Sequence, residues 1–406
     1  VSLIDLVRAP PSQLLQMAIN AHLIRPLGGT TCPAPTCGGI LSPLQQSSST
    51  SSPNIHRDVL HHRCDTCTKK VSVTHGSPIF CGGHGATSAS LQIFLFFCCA
   101  NGVDASAAVQ LTGLSASTVH RYFDIAIFIM SMDALRRQEK AKFGGHPEMT
   151  VDIEADEKSF KKWFAVVDGV PTYYWYPWLI VMQRGSHSKV HMESLGVTFS
   201  TEVARVPPLC QKHWTATCNN LFDADTKANL MTDGAQTYEV IKHAGFIEHY
   251  AVNHYKKQFV RNCVVIDNHV TGSTREAKAG CQRAEGAWKH INRFVPEELH
   301  APTTPAARAN LDKYIRAGQW HYMVGTDNVW AAFCEAARLY CEAFAEVPAD
   351  AGGADEDVRS PTELPETSPA TPSPGKRPRL ATADGSEGVA KLRDEECSPT
   401  ELPDEV

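Results

Sequence analysis

Two pairs of closely spaced cysteines are the residues most clearly suited to chemistry. Cys32 and Cys37 form the first pair, and Cys64 and Cys67 form the second. Zn²⁺ prefers tetrahedral ligation, and a short loop between two cysteines lets both sulfur atoms reach one ion. The spacing therefore predicts a Zn²⁺ site in an N-terminal ribbon. The alternative is a set of unrelated buried thiols.

The remaining cysteines do not share this spacing. The chain has 14 cysteines, but its sequence shows no signal peptide, so we expect reduced thiols in a cytosolic or nuclear protein. Cysteines outside the two pairs are expected to pack as small apolar residues. His61 and His62 could replace a cysteine ligand, but we expect them at the surface.

Three acidic residues could form a second metal site. Asp156 lies in a predicted strand, Asp233 ends another, and Glu285 lies on a predicted helix. A buried carboxylate is unfavourable unless it is paired or binds a metal. Three converging carboxylates could hold two Mg²⁺ or Mn²⁺ ions about 3.5–4 Å apart, the arrangement for in-line displacement at a phosphodiester. Acids at strand ends are common in α/β proteins, so a structural role is the alternative.

Polar residues beside these acids have two interpretations each. Glu154 and Glu157 flank Asp156; we expect both to face the opposite side of the strand and to act as supporting residues. His254 could lie near the metal or DNA, or could make a hydrogen bond in the core. Trp288 is expected to anchor its helix in the core.

The elements that must position these side chains follow from residue patterns. A helix at 91–100 precedes a small-residue helix that ends near Gly113, and Ser115 caps a second helix. This is a helix-turn-helix pattern, with an ordinary helical hairpin as the alternative. We expect Val119 to pack inward and four side chains to face DNA: Ser117, Thr118, His120 and Arg121.

Beyond residue 148 the pattern indicates an α/β domain, in which strands precede helices. The predicted strands cover residues 149–160, 162–168, 173–183, 229–233 and 248–252, with a weaker candidate at 189–199. The predicted helices cover residues 236–244, 283–293, 305–322 and 328–345.

The net charge of −6 conceals an uneven distribution. Residues 347–406 carry 14 acidic and 6 basic side chains, a net charge of −8, so the remainder carries +2. This tail has 9 of the 25 prolines and no aromatic residue, which predicts disorder. The basic cluster Lys376–Arg379 indicates a nuclear import signal or an ordinary solvated charge run. No apolar run is long enough to span a membrane.

These patterns divide the chain into four parts. The N-terminal helix and zinc ribbon cover residues 1–82, and the helical DNA-binding segment covers 88–142. The catalytic domain covers 148–345, and the acidic, proline-rich tail covers 346–406. Five short segments, which follow one another in this order along the chain, carry a family resemblance: VTHGSPIF at 73–80, EADEKSF at 154–160, LMTDGAQTY at 230–238, VNHYKKQFV at 252–260 and QRAEGAW at 282–288.

The chain resembles the Merlin-type cut-and-paste transposases and their bacterial insertion-sequence relatives over roughly residues 30–330. The resemblance implies a zinc ribbon, a helical DNA-binding segment and a ribonuclease-H-like mixed sheet with flanking helices. It aligns Asp156, Asp233 and Glu285 with the catalytic DDE triad that binds Mg²⁺ or Mn²⁺. Such an enzyme cleaves DNA strands at transposon ends and joins the 3′-hydroxyl to target DNA.

The expected partners are double-stranded DNA, as terminal inverted repeats and as target, and further copies of the chain. We expect a nuclear protein, or otherwise a cytoplasmic one, with no membrane partner. Lys256, Lys257 and Arg283 are candidate DNA contacts, together with other lysines near the motifs. His254 and Gln282 are candidate supporting residues beside the metal.

Two departures from the family pattern favour an alternative function. The His-Thr pair expected before Gln282 is Gly280–Cys281, and the stretch before Glu285 is longer than usual. His269 could substitute for the missing histidine, or that interaction is lost. The alternative function is a catalytically impaired, host-adopted derivative that acts as a DNA-binding protein. A third possibility is a zinc-ribbon interaction module whose acidic tail recruits other proteins.

Overall fold

A computed structural model describes residues 9–46, 60–80, 87–202, 206–221, 226–233, 238, 245–253 and 256–345. The chain divides into two units, 1–346 and 347–406, and every described residue belongs to the first. The predicted tail, Gly234, His254 and the predicted helix at 236–244 (apart from Tyr238) lie outside the described residues. Within the described part, no helix combines the length and apolar character needed to cross a bilayer.

The N-terminal region combines one helix with a small antiparallel sheet. Helix α1 spans Pro11–Asn20 and begins with proline, whose missing N–H is not needed in the first turn. The sheet contains β1 (Gln45–Gln46), β2 (Leu60–Arg63) and β3 (Lys70–Ser72) in that order. These short strands belong to the segment that carries the four cysteines.

Three helices follow, as the sequence predicts. Helix α2 spans Ala89–Ala100, α3 spans Ala105–Thr112 and α4 spans Ala116–Lys140. Gly113 ends α3 with a φ of 68°, a left-handed conformation that glycine adopts without a Cβ clash. The Ser115 side chain accepts a hydrogen bond from the Thr118 N–H and caps α4.

A mixed sheet forms the centre of the following region. Strand β4 (Thr150–Val167) pairs antiparallel with β5 (Val170–Gln183), and β5 pairs with β6 (Val190–Ser194) and with the short β7 (Thr198–Ser200). The strands predicted at 149–160 and 162–168 are one strand, because a register shift between Ser159 and Lys162 marks a bulge and not a break.

The other edge of β4 carries the parallel part of the sheet. Helix α5 (Gln211–Leu221) leads to β8 (Lys227–Thr232), which pairs parallel with β4, and β9 (Phe246–Ala251) pairs parallel with β8. The strand order is therefore β6-β5-β4-β8-β9. The sequence patterns did not predict α5.

The final elements cover the sheet. An unpredicted hairpin of β10 (Arg261–Asn268) and β11 (Ser273–Ala279) precedes helix α6 (Gln282–Asn292). Helices α7 (Pro305–Val324) and α8 (Val329–Ala345) match their predicted positions closely. The hairpin occupies the stretch before Glu285 that is longer than the family pattern.

Two apolar clusters lie on opposite faces of the sheet. On one face, Ile180 and Met182 of β5 pack with Ala284 and Trp288 of α6. On the other, Leu179 and Val181 of β5 pack with residues of α5. Since alternate residues of a strand face opposite sides, the even-numbered residues of β4 before the bulge face α6. Trp288 is buried, as predicted.

A third cluster joins the helices to the N-terminal region. It contains buried residues of α1, α2, α4, α7 and α8, together with Val73, Ile79 and Phe80 from the chain after β3. Phe96 is central to it, with Phe80, Tyr122 and Phe333 around its ring. Residues from all three predicted parts of the first unit therefore contribute to this cluster.

Candidate functional site

The four predicted cysteine ligands lie together. The Sγ atoms of Cys32 and Cys67 are 3.7 Å apart, and those of Cys37 and Cys64 are 3.5 Å apart. All four sulfur atoms lie within 4.8 Å of one another. Thiolates at about 2.3 Å from one tetrahedral ion have such separations. This cluster could bind a metal, and its chemistry is consistent with Zn²⁺.

Local backbone contacts hold the two cysteine loops against each other. The Ile40 N–H donates to Asp65 Oδ1 at 2.9 Å, and the Cys67 N–H donates to Cys64 Sγ at 3.4 Å. A Cβ at Gly39 would lie 2.6 Å from Cys64 Sγ, closer than real Cβ contacts allow. Glycine is therefore needed where the loops meet. The Cys67 N–H is also the main reason that the pKa of Cys64 is lowered to about 7.

The two histidines of β2 are not at the surface, contrary to the prediction. His61 and His62 are both buried, and His62 Nδ1 lies 2.8 Å from the Ser42 carbonyl oxygen. Neither belongs to the cysteine cluster. Both lie on β2, the middle strand of the small sheet, where adjacent residues point to opposite faces.

The sheet brings two of the three predicted acids level with each other. Glu154 of β4 pairs with Met231 of β8 in parallel register. Continuing this register by two residues places Asp156 beside Asp233, just after β8 ends. The side chains of two paired residues point to the same face of a sheet. Asp156 lies on the face of β4 that α6 covers. Glu285 lies in the first turn of α6.

The electrostatics of Asp156 reflect this convergence. Burial, followed by the negative charges of Glu157, Asp233 and Glu285, raises the pKa of Asp156 to about 8. The same three acids that we predicted as ligands, with Glu154, also help burial to raise the pKa of the Cys281 thiol. A cation bound here would offset the repulsion and favour the ionised form of the Asp156 carboxyl.

The acids are less tightly grouped than the cysteines. Among the described residues, the cysteine cluster is the one group of three or more His, Cys, Asp or Glu side chains whose ligand atoms all lie within 4.8 Å. Asp156, Asp233 and Glu285 are each half-buried, and the charges of Asp233 and Glu285 act on Asp156. Their arrangement is a shared electrostatic site and not a closed cage.

Glu154 supports this site, although it faces the same side as Asp156. The expectation that it faces the other side was wrong, because residues two apart on a strand share a face. Its Oε2 accepts the N–H groups of Arg283 and Ala284 at 2.8 and 2.9 Å. Its Oε1 accepts from Arg184 Nε at 2.7 Å. Glu154 therefore caps α6, the helix that carries Glu285.

Arg184, which the sequence patterns did not single out, ties the same region together. Its guanidinium donates to the carbonyl oxygens of Lys278 and Gly280 at 2.5 and 2.8 Å, in addition to its pair with Glu154. The end of β11 and the start of α6 are thus fixed to β4 and β5. Glu154 stood out in the sequence because it is an acidic residue in an apolar strand. No sequence pattern identified Arg184 as its partner.

Glu157 does face the opposite side of β4, as expected. It accepts a hydrogen bond from the Tyr238 hydroxyl. Burial raises the pKa of Glu157 to about 7, with a smaller contribution from Asp233 and an opposing one from Tyr238. Its negative charge still reaches Asp156. It is a neighbour of the acid site on the far side of the sheet.

The position that departs from the family pattern has a steric explanation. Gly280 has a φ of 120°, and a Cβ there would lie 2.6 Å from the Phe259 carbonyl oxygen and closer still to the Gln282 side chain. Gln282, a predicted supporting residue, donates its amide to Phe259. No larger side chain fits at position 280 while this contact exists.

His269 does not fill the missing histidine's place. Its backbone N–H donates to the Glu148 carbonyl oxygen, and the neighbouring Asn268 forms an isolated antiparallel β-bridge with Met149. This end of the hairpin lies at the start of β4, roughly 23 Å along the strand from Asp156 at 3.3 Å per residue. Of the two alternatives, the structure favours loss of the interaction.

The predicted DNA-facing residues of α4 lie on its outer side. Ser117, His120 and Arg121 are exposed, Thr118 is half-buried, and Val119 is fully buried as predicted. The Ser117 and Thr118 hydroxyls contact the capping hydroxyl of Ser115. The first turn of α4 therefore presents a polar surface on a well-defined helix end.

The other candidate DNA contacts lie near the acids. Lys256 and Lys257 are exposed and follow β9, at the same edge of the sheet where Asp233 follows the parallel strand β8. Arg283 is half-buried at the start of α6. His254 lies outside the described residues. Comparison with protein-family models and with curated proteins finds no match for this chain.

Proposed function

We propose that the chain is a DDE-type DNA transposase that cleaves DNA strands and transfers the 3′-hydroxyl ends at transposon termini. The convergence of Asp156, Asp233 and Glu285 carries this proposal. They come from two adjacent parallel strands and a helix on the same face, and their charges act together on Asp156. A mixed sheet with this arrangement is what a ribonuclease-H-like catalytic domain requires.

The resident cofactor would be a pair of Mg²⁺ or Mn²⁺ ions. Carboxylate oxygens are the preferred ligands of such hard cations, and burial together with the charges of neighbouring acids raises the pKa of Asp156. In two-metal sites the ions activate the attacking oxygen and stabilise the leaving one. The protein's part is to hold the three carboxylates, with Glu154 fixing the start of the helix that carries Glu285.

DNA recognition would fall to the N-terminal parts. The cysteine cluster would hold Zn²⁺ and stabilise a ribbon, and the exposed first turn of α4 would meet a DNA groove. Lys256, Lys257 and Arg283 would contact phosphates near the acids. Further copies of the chain on the transposon ends, and a nuclear location, complete the proposal.

The cleavage assay uses supercoiled plasmid, purified full-length protein and Mg²⁺ or Mn²⁺. We expect nicking that chelation stops and that Asp156→Asn, Asp233→Asn or Glu285→Gln reduces to background. Duplex binding should persist in all three variants. Glu276→Gln, an exposed acid on β11, is the matched control and should nick normally. A Glu285→Gln protein as active as wild type would refute the assignment of the triad.

A second candidate is a host-adopted DNA-binding derivative without cleavage activity. The geometry around Gly280 favours it, because no histidine fits where the family pattern has one. If wild-type protein binds duplex DNA but produces no metal-dependent nicks, this candidate replaces the first. Absence of duplex binding as well would favour the third possibility, a protein-interaction module.

A further inference from the structure

The distal half of the β4–β5 hairpin has a face that the proposed catalytic site does not use. Beyond the bulge, Lys162 pairs with Trp175, and Phe164 pairs with Tyr173. These four side chains share one face of the hairpin, since directly opposed residues and residues two apart lie on the same side. We call this set, with Val166, the aromatic face.

This face combines exposed apolar surface with a lysine. Phe164 is 52% exposed and Val166 is 60% exposed. The Phe164 and Tyr173 rings are 5.3 Å apart, and Lys162 Nζ lies 5.3 Å from the Tyr173 ring centre and 5.7 Å from that of Trp175. An exposed aromatic ring next to rings that already contact a lysine forms contiguous apolar surface, which often marks a binding site.

The hairpin holds these side chains in a fixed arrangement. Asp168 and Gly169 form its two-residue turn with φ values of 51° and 79°, the pattern of a tight hairpin turn. Strand β7 pairs with β5 opposite Tyr173, Tyr174 and Trp175. Trp175 is 2% exposed and supports the rings beside it. The exposed rings are therefore pre-positioned.

Charge identifies the partner. Lys162 is the lysine of the aromatic face, and the one acid between residues 158 and 178 is Asp168 at the turn. Aromatic side chains beside a lysine suit unpaired nucleotides, because bases stack on the rings while a phosphate meets the ammonium group. A paired duplex keeps its bases stacked and leaves them unavailable to Phe164.

We propose that the aromatic face binds a single-stranded segment of DNA, with Phe164 and Tyr173 stacking on bases and Lys162 neutralising a phosphate. Binding here does not require cleavage, and it lies on the opposite side of the hairpin from Trp163 and Tyr174. It adds a single-strand binding surface to the duplex-binding and catalytic surfaces of the proposed transposase.

The test measures binding of full-length protein to a labelled oligothymidine of about 16 nucleotides, near the upper site size of single-strand binding folds. We expect Phe164→Ala to weaken oligothymidine binding about tenfold, the effect of losing one stacked base. Binding to a duplex of the same length should be unchanged. Lys162→Ala should lower the slope of log affinity against log salt by about 0.7, one phosphate's share.

Phe199→Ala is the matched control. Phe199 is 48% exposed on β7, beside the hairpin, but it pairs with Tyr174 and therefore lies on the other face. Melting curves check that each variant folds. The proposal is wrong if Phe164→Ala leaves oligothymidine binding unchanged, or if Phe199→Ala weakens it equally.

A second copy of the chain is the competing occupant. If sedimentation shows that Phe164→Ala dissociates an oligomer while oligothymidine binding is intact, the face is a self-interface and the proposal is overturned. Failure of the triad variants to affect cleavage would refute the proposed catalysis and leave single-strand binding untouched. The two proposals can thus fail separately.

Discussion

The cysteine cluster and the acid cluster are two candidate metal sites built in opposite ways. The four sulfur atoms lie within 4.8 Å of one another on two short loops. The three acids come from β4, the end of β8 and α6, and the charges of Asp233 and Glu285 add to burial in raising the pKa of Asp156. One site is closed and locally built; the other is open and depends on the whole sheet.

The difference is what the two proposed metals would require. A structural zinc site contributes to folding and needs complete ligation. A catalytic Mg²⁺ site must leave positions for substrate oxygens and water, so its acids cannot surround the ion. The charges of neighbouring acids that act on Asp156 in the second site fit that proposed openness.

The largest effect is expected from removing the metal of the cysteine cluster. Structural zinc contributes about 10–16 kcal/mol of apparent binding energy in small domains. We expect purified protein to carry equimolar Zn²⁺, and chelation or Cys64→Ser to unfold the ribbon, measured by metal analysis and hydrogen exchange. Cys210→Ser, a half-buried cysteine outside the cluster, is the control. A ribbon equally protected without metal would contradict the assignment.

An intermediate effect is expected at Glu154, the support of the acid cluster. Glu154→Ala leaves the half-buried Arg184 without its carboxylate partner and removes the cap of α6. We expect a loss of about 3 kcal/mol of unfolding free energy, the lower end of the range for buried pairs, measured by urea denaturation.

The matched control for Glu154 is Glu342→Ala. Glu342 pairs with Arg338 at 2.5 Å, but its side chain is 55% exposed. Exposed pairs contribute about 0–1 kcal/mol. Equal losses of stability in the two variants would mean that Glu154 does not fix α6.

The smallest effect concerns pH. The pKa of Asp156 is raised from 3.8 to about 8, so in metal-free folded protein it keeps a proton that the unfolded chain has lost. Between these pKa values, the stability of the folded state falls as pH rises. Asp156→Asn removes this loss and should raise the melting temperature increasingly up to about pH 8.

The expected gain is about 2–4 °C for each kcal/mol removed, and Mg²⁺ should stabilise wild type more than Asp156→Asn. Asp168→Asn, at the exposed hairpin turn, is the control. If the difference in melting temperature between Asp156→Asn and wild type does not change with pH, the pKa of Asp156 is not raised in the folded protein.

Local patterns predicted most secondary elements correctly. Ser115 and Gly113 marked the ends of α4 and α3, and two cysteine pairs marked the N-terminal cluster. The misses have local causes. Strand β11 has alanine as its only apolar residue type, so its sequence gives little strand signal, and the bulge in β4 made one strand look like two.

The sequence by itself determined the cysteine cluster and the identities of the three acids. Short loops keep paired cysteines close in any compact state, and apolar strands make their acids conspicuous. Only the tertiary structure decided which acids meet and how they are supported. The register of β4 with β8, the capping of α6 by Glu154 and the reach of Arg184 all join residues distant in sequence. Those contacts depend on how strands pair and pack, and no local pattern specifies that.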